Sequence, residues 1–378
     1  MIKVIFQNRP DAFTNLGGDT TQMIQTKEHL IKMGVHVDIC LEAEPDLCDY
    51  DIVHIFNIQT ACYSLRQVLN AKKQKVPVVV SPIYWDMTQC FNDEDFLTFN
   101  FPLYKFLAKI DLSMAKFYIK SKRILDFRMH KERLLFNSML EMLKHTDLLL
   151  PNSYAEAEII SFIFNTPWIR ARTVVIPNGI VHPSIIEVDK KNSDPIGSQV
   201  CLPAEYVLEA GRIEPIKGQL KVIKALLDKP EIPIVFVGKC SHKVYWEECV
   251  LLGKKRGNVW FVEEVPQHAM TIFYKRARVH VLPSLRESPG LATLEAAVHG
   301  VNCVVSFHGP IAEYFEDNVW CCDPNDIISI KNAIIQAWQA PKNLSLRQKI
   351  LDKFTWEVAA KETLKAYVKI LNKPHSIA

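Results

Sequence analysis

The segment AGRIEPIKGQ, residues Ala210–Gln219, begins at the last residue of an apolar run, Tyr206–Ala210. A stretch with helical periodicity follows it. This order predicts a β-strand, a turn at Gly211 and then an α-helix. Arg212 and Lys217 flank the predicted helix start, where backbone N–H groups attract anions. Arginine grips two phosphate oxygens at once and lysine acts as a point charge, so the segment is suited to a diphosphate. A surface loop with two solvated cations has the same pattern, and the segment alone leaves both interpretations open.

The second informative motif is LPSLRESPGLATLEAAVHG, residues Leu282–Gly300. We expect a strand before it and a helix from Leu291 onward, with Pro289-Gly290 in the loop between them. Glu287 in this loop is placed to accept hydrogen bonds from sugar hydroxyls, and Glu295 in the helix to accept both hydroxyls of a ribose. The N–H groups around the loop glycine attract a phosphate. Because the helix around Glu295 is mostly apolar, an unpartnered surface carboxylate is unexpected there.

Short β-rich runs alternate with helical patterns on both sides of these motifs, which is typical of parallel sheets with crossover helices. The predicted strands are 2–6, 35–40, 52–56, 76–81 and 147–150 in the first half, and 206–210, 234–237, 259–262, 279–282 and 301–306 in the second. The stretch 181–203 carries several prolines and no clear periodicity, so we expect it to connect two α/β domains.

The composition excludes several classes of protein. A formal net charge of +3 is too small to indicate a nucleic-acid-binding protein. None of the ten cysteines forms a C-x-x-C pair, so the sequence contains neither a zinc-finger nor a thioredoxin-type motif. We find no signal peptide and no apolar stretch near the roughly 18 residues that span a bilayer. The expected location is therefore the cytoplasm, with membrane association at its cytoplasmic face left open.

Residues 101–145 form a basic segment with helical periodicity, in which Phe and Leu are interleaved with Lys and Arg. The solvated face of ordinary helices explains this composition. A surface for an anionic acceptor or an acidic membrane explains it as well. The sequence leaves both interpretations open.

Together the two motifs resemble the GT-B-fold retaining glycosyltransferases of the GT4 type, the glycosyl transferases group 1 family. The match rests on G-R-x4-K-G at Gly211–Gly218 and E-x7-E at Glu287–Glu295, with similar flanking pieces VFVGK, PNSYAEAE, IPNGI, VVSFHGPIAE and FTWEVAAKETLKAY. The resemblance implies an α/β GT-B fold, with two Rossmann-like domains facing each other across a cleft. Residues 1–180 would bind the acceptor, 181–353 the nucleotide-sugar, and 354–378 would form a helix crossing back to the first domain.

The resemblance also implies which residues form the site. Arg212, Lys217 and Glu287 would be catalytic: the two cations would hold the diphosphate and the carboxylate would face the donor sugar. Glu295 would hold the ribose, and the Val265 backbone would lie near the base. The full implied donor-binding set is Gly17, Gly18, Arg212, Lys217, Val265, Glu287, Ser288, Pro289, Gly290, Leu291 and Glu295.

Two departures from the family pattern lie near the expected sugar. The family usually has a His after the fourth strand, whereas here VVVSPIYWDM places Tyr84, Trp85 and Asp86 there. These three are candidates for contacts with the acceptor or the sugar, and a core-edge aromatic or a turn residue fits them equally. The loop after Glu287 is Ser-Pro-Gly instead of Gly-Phe-Gly.

The implied activity is that of a retaining hexosyltransferase in polysaccharide or glycolipid biosynthesis. It would move a sugar from a nucleotide-sugar donor to a glycan or lipid-linked acceptor. Family frequency favours a UDP-sugar, and a GDP-sugar is the second choice. Two D-x-D patterns, Asp49–Asp51 and Asp93–Asp95, do not follow convincing central strands, so no obligate metal is expected. The alternatives are a non-catalytic nucleotide-sugar-binding subunit, and a GT-B epimerase or inverting transferase.

Overall fold

The computed structural model describes residues 1–84, 86, 88–128, 131–182, 202–288, 290–307 and 309–372. The chain forms two compact units. The first consists of Met1–Trp85, Lys120–Gly179 and Phe354–Ala378, and the second of Asp86–Ile119 and Ile180–Lys353. Residues 86–119, which the sequence analysis assigned to the N-terminal domain, thus cluster with the second unit.

The secondary structure follows the alternation expected from the sequence. The strands are β1 (Lys3–Gln7), β2 (His36–Ile39), β3 (Ile52–Phe56), β4 (Val78–Ser81), β5 (Leu148–Leu149), β6 (Tyr206–Ala210), β7 (Ile234–Val237), β8 (Val259–Val262), β9 (Ala277–Leu282), β10 (Asn302–Ser306) and β11 (Trp320–Cys322). The helices are α1 (Gly18–Lys32), α2 (Ala61–Lys73), α3 (Glu94–Asn100), α4 (Pro102–Ile110), α5 (Leu112–Arg128), α6 (Lys131–His145), α7 (Tyr154–Ile163), α8 (Gln219–Ala225), α9 (Lys243–Arg256), α10 (Met270–Arg276), α11 (Leu291–Val298), α12 (Ile311–Tyr314), α13 (Ile327–Gln339), α14 (Leu344–Lys353) and α15 (Trp356–Leu371).

The first unit contains a parallel sheet in the order β2-β1-β3-β4-β5. Its central strands β3 and β4 are buried along their whole length, because helices cover both faces of a parallel sheet. The last helix, α15, contacts α1 in this unit. Its Tyr367 hydroxyl lies 2.6 Å from Nδ1 of the buried His54, whose Nε2 lies 2.9 Å from Ser81 Oγ. Burial lowers the pKa of His54 to about 3, so this imidazole is a neutral core group.

The second unit contains a six-stranded parallel sheet in the order β11-β10-β9-β6-β7-β8. If β6 is numbered as strand 1 of this unit, the sheet reads 3-2-1-4-5-6 from β8 to β11. This is the strand order of a dinucleotide-binding Rossmann sheet. The chain leaves β6 toward β7 on one side and returns to β9 on the other. The strand order therefore reverses between β6 and β9, and ligands bind at the carboxyl ends of strands at such a reversal.

Two parallel sheets with crossover helices confirm the predicted α/β class. Ten strands were expected from sequence runs, and the structure has β11 as an additional strand beside β10. β11 was missed because its three residues are too short to show a pattern of alternation. Most of the connection predicted at 181–203 lies outside the described residues.

Candidate functional site

Two loops of the second unit meet where its strand order reverses. Residues 211–218 connect β6 to α8, and residues 283–290 connect β9 to α11. A backbone hydrogen bond joins the loops directly, since the Leu285 N–H donates to the Ile216 carbonyl at 2.9 Å. The two sequence motifs, which are about 70 residues apart in the chain, are thus brought to one edge of one sheet.

Gly218, just before α8, explains how closely the loops approach. Its φ is +90°, and a Cβ at this position would lie 3.0 Å from the Pro283 carbonyl oxygen. Only glycine combines that backbone conformation with so little space. The close approach places Lys217 beside the second loop.

Lys217 and Glu287 form an ion pair between the two loops, Nζ to Oε1. Both side chains are mostly shielded from water, with 19% and 13% of their surfaces exposed. The hydroxyl of Ser284 donates to the same carboxylate oxygen at 3.0 Å. Gly309, in the loop after β10, packs so closely that a Cβ there would lie 2.7 Å from the Glu287 carbonyl oxygen. The structure therefore brings together the predicted diphosphate cation and the predicted sugar-facing carboxylate.

Each of the two loops also contains an arginine. Arg212 is about half exposed, and its Nη2 lies 3.1 Å from Glu214 Oε1. Arg286, which neither sequence motif identifies as a site residue, has a buried Nη1 with no hydrogen-bond partner among the described residues. Burial lowers the pKa of this guanidinium, although Cys90 and Glu287 act in the opposite direction. Its position directly before Glu287 was the only signal in the sequence that could have identified it.

Glu295 lies in the second turn of α11, where its carboxylate is held from two sides. The Tyr274 hydroxyl donates to Oε2 at 2.8 Å, and Gln267 Nε2 donates to Oε1 at 2.5 Å. Burial raises the pKa of Glu295, while these two hydrogen bonds lower it. The carboxylate is thus fixed in orientation in a partly desolvated place. Gln267 follows Val265 by two residues, so the loop after β8 and Glu295 lie at the same edge of the sheet.

A further carboxyl group, Glu209 in β6, was missed from the sequence because it stands in an apolar strand. Its side chain is buried, and neither oxygen has a hydrogen-bond partner among the described residues. Burial raises its pKa well above the ordinary value; Lys217 opposes this shift and Glu287 adds to it. Burial therefore favours the neutral form of the Glu209 carboxyl.

The remaining candidates of the second loop surround the start of α11. Gly290 precedes the helix with φ +89°, a conformation that favours glycine, and Leu291 is the first helical residue. The Ser288 hydroxyl oxygen is buried without a hydrogen-bond partner among the described residues. Pro289 lies outside the described residues.

The candidates near the first sheet follow β1 and β4. Gly17 and Gly18 stand at the start of α1, where Arg9 Nε donates to Asp19 Oδ2 at 3.0 Å. The Tyr84 N–H donates to Glu156 Oε1 at 2.7 Å, and its ring lies edge-on to Phe164 at 5.4 Å, at the border of the core. Trp85 lies outside the described residues. Asp86 is half-buried and clusters with the second unit.

Asp93 and Asp95, one of the two D-x-D patterns, have structural partners. Asp93 Oδ1 caps α3 by accepting from the Phe96 N–H at 2.7 Å, and its Oδ2 pairs with the buried Lys221. Asp95 pairs with Lys224 at 3.0 Å. Over the described parts of the chain, no group of three or more His, Cys, Asp or Glu side chains is arranged to hold a metal ion.

A model of the family described as Glycosyl transferases group 1 matches residues 202–351, which make up most of the second unit. Over these residues, the chain is similar to members of that family. The match covers both loops of the site, and it confirms the resemblance predicted from the two motifs. The group 1 region thus contains Arg212, Lys217, Glu287 and Glu295.

Two curated relatives are similar over part of the chain. An uncharacterized glycosyltransferase of Methanocaldococcus jannaschii is 27% identical over 225 residues, which are 56% of this chain and 57% of that protein. O-antigen chain mannosyltransferase B of Escherichia coli is 29% identical over 176 residues, 43% of this chain and 45% of that protein. The chain thus spans about half the length of the curated relatives that it matches.

Solved structures resemble the chain over nearly its full length. Sucrose-phosphate synthase of Thermosynechococcus elongatus has a TM-score of 0.70 at 15% identity, covering 99% of this chain and 100% of that chain. Anabaena HepE, solved in complex with UDP and glucose, has a TM-score of 0.68 at 14% identity. The match covers 97% of this chain and 100% of that chain. At these identities the likeness concerns the fold alone, and it confirms the GT-B prediction of two Rossmann-like sheets.

Proposed function

We propose that the protein is a retaining hexosyltransferase, which moves a sugar from a nucleotide-sugar donor to a hydroxyl of a glycan or lipid-linked acceptor. The observation that carries this proposal is the ion pair of Lys217 and Glu287, which joins the two loops where the strand order reverses, with Arg212 in the first of these loops. Two cations and a carboxylate on adjoining loops at that edge suit a diphosphate and the hydroxyls of a sugar. The group 1 family match over the same loops supports it.

The chemical step requires stabilisation of the negative charge that builds on the departing diphosphate. We assign this to Arg212 and Lys217, because cations positioned where negative charge develops stabilise it. Glu287 would then accept a hydrogen bond from a hydroxyl of the donor sugar. As the bond between the anomeric carbon and the diphosphate breaks, the acceptor oxygen would bond to that carbon on the same face, which gives retention. The proton of the acceptor hydroxyl would pass to the departing phosphate oxygen.

The other candidates are assigned to binding. Glu295 would hold the ribose, and the Val265 backbone the base. The loop residues Ser288 to Leu291 would line the sugar, and Gly17 and Gly18 would contact the diphosphate. Tyr84, Trp85 and Asp86 stay as candidates for acceptor or sugar contacts.

We favour a UDP-sugar as donor. HepE, which shares the fold, was solved with UDP and with UDP-glucose. A GDP-sugar is the second choice. Because one relative is named as a mannosyltransferase, the nucleotide-sugars to be tested should include a mannose donor. A thermal-shift panel of UDP-, GDP- and ADP-sugars, with and without EDTA, identifies the base and tests the expectation that no metal is obligatory.

The decisive test is turnover by Arg212→Ala and Lys217→Ala. Loss of one group that stabilises the developing charge should lower kcat about 100-fold or more. Lys254→Ala, an exposed position on α9, is the matched control and should retain full activity. Unchanged turnover in both site variants contradicts the proposal.

Two outcomes would favour the alternatives. Nucleotide-sugar binding without turnover on any acceptor indicates a non-catalytic subunit. An inverted anomeric product indicates an inverting transferase, and conversion of the free nucleotide-sugar indicates an epimerase.

A further inference from the structure

The α4 helix and the first turns of α5 expose an unusual number of large apolar side chains. Residues 102–119 are all described, and six of their apolar side chains are between 42% and 71% exposed. These side chains are Leu103, Phe106, Ile110, Leu112, Met114 and Phe117, and we call them the outer face. Exposed apolar groups that cluster in this way mark interaction surfaces in soluble proteins.

The outer face is not part of the protein core. The same segment packs inward through a different set of residues, of which Tyr104, Ala115 and Ile119 are at most 5% exposed. They form a cluster with Phe96 and Leu285 in the second unit. We call these buried residues of the segment the inner face. Because the inner face already anchors the segment, the residues of the outer face are not needed for folding.

The spacing of the residues aligns the apolar side chains on one side of each helix. Leu103, Phe106 and Ile110 are separated by three and four positions in α4, and Met114 and Phe117 by three in α5. A water-facing helix side would normally be polar at these positions.

Lysines flank these apolar stripes. Lys105, Lys109 and Lys116 are exposed, and Asp111 is the one acidic residue between 102 and 119. Long lysine side chains at such positions reach past apolar neighbours to anionic groups. Apolar residues that insert, bordered by cations that bind phosphate, are the pattern of an interfacial helix on an acidic bilayer.

We propose that residues 102–119 dock the protein on a bilayer that contains anionic lipid. The outer face would enter the headgroup region and the three lysines would bind lipid phosphates. Self-association through this surface is disfavoured, because a two-fold symmetric contact would place the lysines of one copy against those of the other. None of the described helices is long and apolar enough to cross a membrane.

The docking surface is physically linked to the candidate site. Leu285 is in contact with the inner face and directly precedes Arg286 and Glu287. Ile216, which packs against the same cluster, directly precedes Lys217. The docking proposal does not depend on the proposed transferase activity, since vesicle binding is measured without a donor.

The test is co-sedimentation of the full chain with phosphatidylcholine vesicles, with and without phosphatidylglycerol, at low and high ionic strength. We expect at least about tenfold stronger binding to the anionic vesicles, weakened by salt. Phe106→Ser with Phe117→Ser, and separately Lys109→Glu with Lys116→Glu, should each reduce it by about tenfold or more. We expect these variants to fold normally, because the substituted side chains are exposed. Their thermal unfolding, compared with that of the wild type, tests this expectation.

Matched controls separate this surface from a general effect. Phe162→Ser changes an 87% exposed aromatic on α7, and Lys254→Glu with Lys255→Glu changes exposed lysines on α9. Both should bind vesicles like the wild type. The proposal is overturned if the control variants lose as much vesicle binding as the variants of residues 102–119. It is also overturned if the wild type does not bind anionic vesicles.

Two further results would assign the surface to another partner. A dimer that becomes monomeric on Phe106→Ser with Phe117→Ser, without vesicle binding, assigns it to self-association. Binding to polyglutamate as strong as to vesicles, and insensitive to the phenylalanine changes, assigns it to acidic polypeptides. Either result overturns the bilayer proposal.

Discussion

Lys217 and Glu287 are 70 residues apart in the sequence and form an ion pair between the two loops of the candidate site. In the free protein, Glu287 thus neutralises the cation that we assign to the diphosphate. A nucleoside diphosphate that binds Lys217 must compete with this carboxylate. Once displaced, Glu287 is available to the hydroxyls of the donor sugar, so nucleotide binding and sugar binding are linked through one pair.

The first prediction concerns Glu287→Gln, which removes the competing charge. We expect UDP to bind this variant as tightly as the wild type or more tightly, while turnover of the nucleotide-sugar falls about 100-fold. Lys217→Ala should instead weaken UDP binding about tenfold or more, since hydrogen bonds to charged groups contribute about 1.5–3 kcal/mol. Calorimetric Kd values for UDP measure the first effect, and kcat the second.

Glu247→Gln, at an exposed position on α9, is the control for a change of net charge. It should leave both the Kd for UDP and kcat unchanged. Equal weakening of UDP binding in Glu287→Gln and Lys217→Ala would contradict the competition between the carboxylate and the diphosphate.

The second prediction concerns the hydrogen bond from Tyr274 to Glu295. Burial raises the pKa of Glu295 and this bond lowers it, so Tyr274→Phe should raise that pKa further. Ribose hydroxyls donate to the ionised carboxylate, and protonation therefore removes an acceptor. The loss of UDP affinity on acidification should begin at a higher pH in the variant, as Kd measured against pH will show. Tyr206→Phe removes a hydroxyl bonded to the Phe273 carbonyl and should leave the pH profile unchanged.

Much of the fold was predictable because parallel strands are buried on both faces and give continuous apolar runs. The loop after β6 and the loop after β9 were recognisable since glycine and charged residues follow such runs at fixed spacing. The pairing of Lys217 with Glu287 was not, because sequence spacing carries no information on which side chains meet across a sheet. That the strand order reverses between β6 and β9 was equally hidden.

Other features were hidden for different physical reasons. Glu209 has the sequence context of a strand residue, and only the structure shows that its carboxyl is buried without a hydrogen-bond partner among the described residues. The clustering of residues 86–119 with the second unit depends on contacts such as that of Asp93 with Lys221, 128 positions away. Helical periodicity indicates which face is apolar, but not which part of the chain covers it.

The third prediction concerns the pH dependence of stability that arises from Glu209. Its pKa is raised well above the ordinary 4.5 in the folded state, so the folded protein binds more protons than the unfolded chain above that pH. The free energy of unfolding should therefore fall as the pH rises from about 4.5 toward the folded pKa, by up to about 1.4 kcal/mol for each pH unit. Glu209→Gln does not titrate and should lack this fall. Denaturant unfolding at a series of pH values measures the difference.

Glu231→Gln is the matched control, because Glu231 is 64% exposed beside Lys229. Its stability should follow the wild-type pH profile. A Glu209→Gln variant with the same slope as the wild type would contradict this prediction, because it would show that folding does not raise the pKa of Glu209.

The fourth prediction concerns the ion pair of Asp93 and Lys221, whose side chains are only 3% and 5% exposed. Asp93→Asn retains an oxygen to cap α3 but leaves the buried ammonium without its counter-charge, which should cost about 3–5 kcal/mol in unfolding free energy. Asp95→Asn, at the more exposed pair with Lys224, should cost at most about 1 kcal/mol. Adding Lys221→Met to Asp93→Asn should restore part of the loss, because the uncompensated charge is then gone. Urea unfolding of the four proteins measures these differences, and equal losses in Asp93→Asn and Asp95→Asn would mean that the buried pair does not hold residues 86–119 on the second unit.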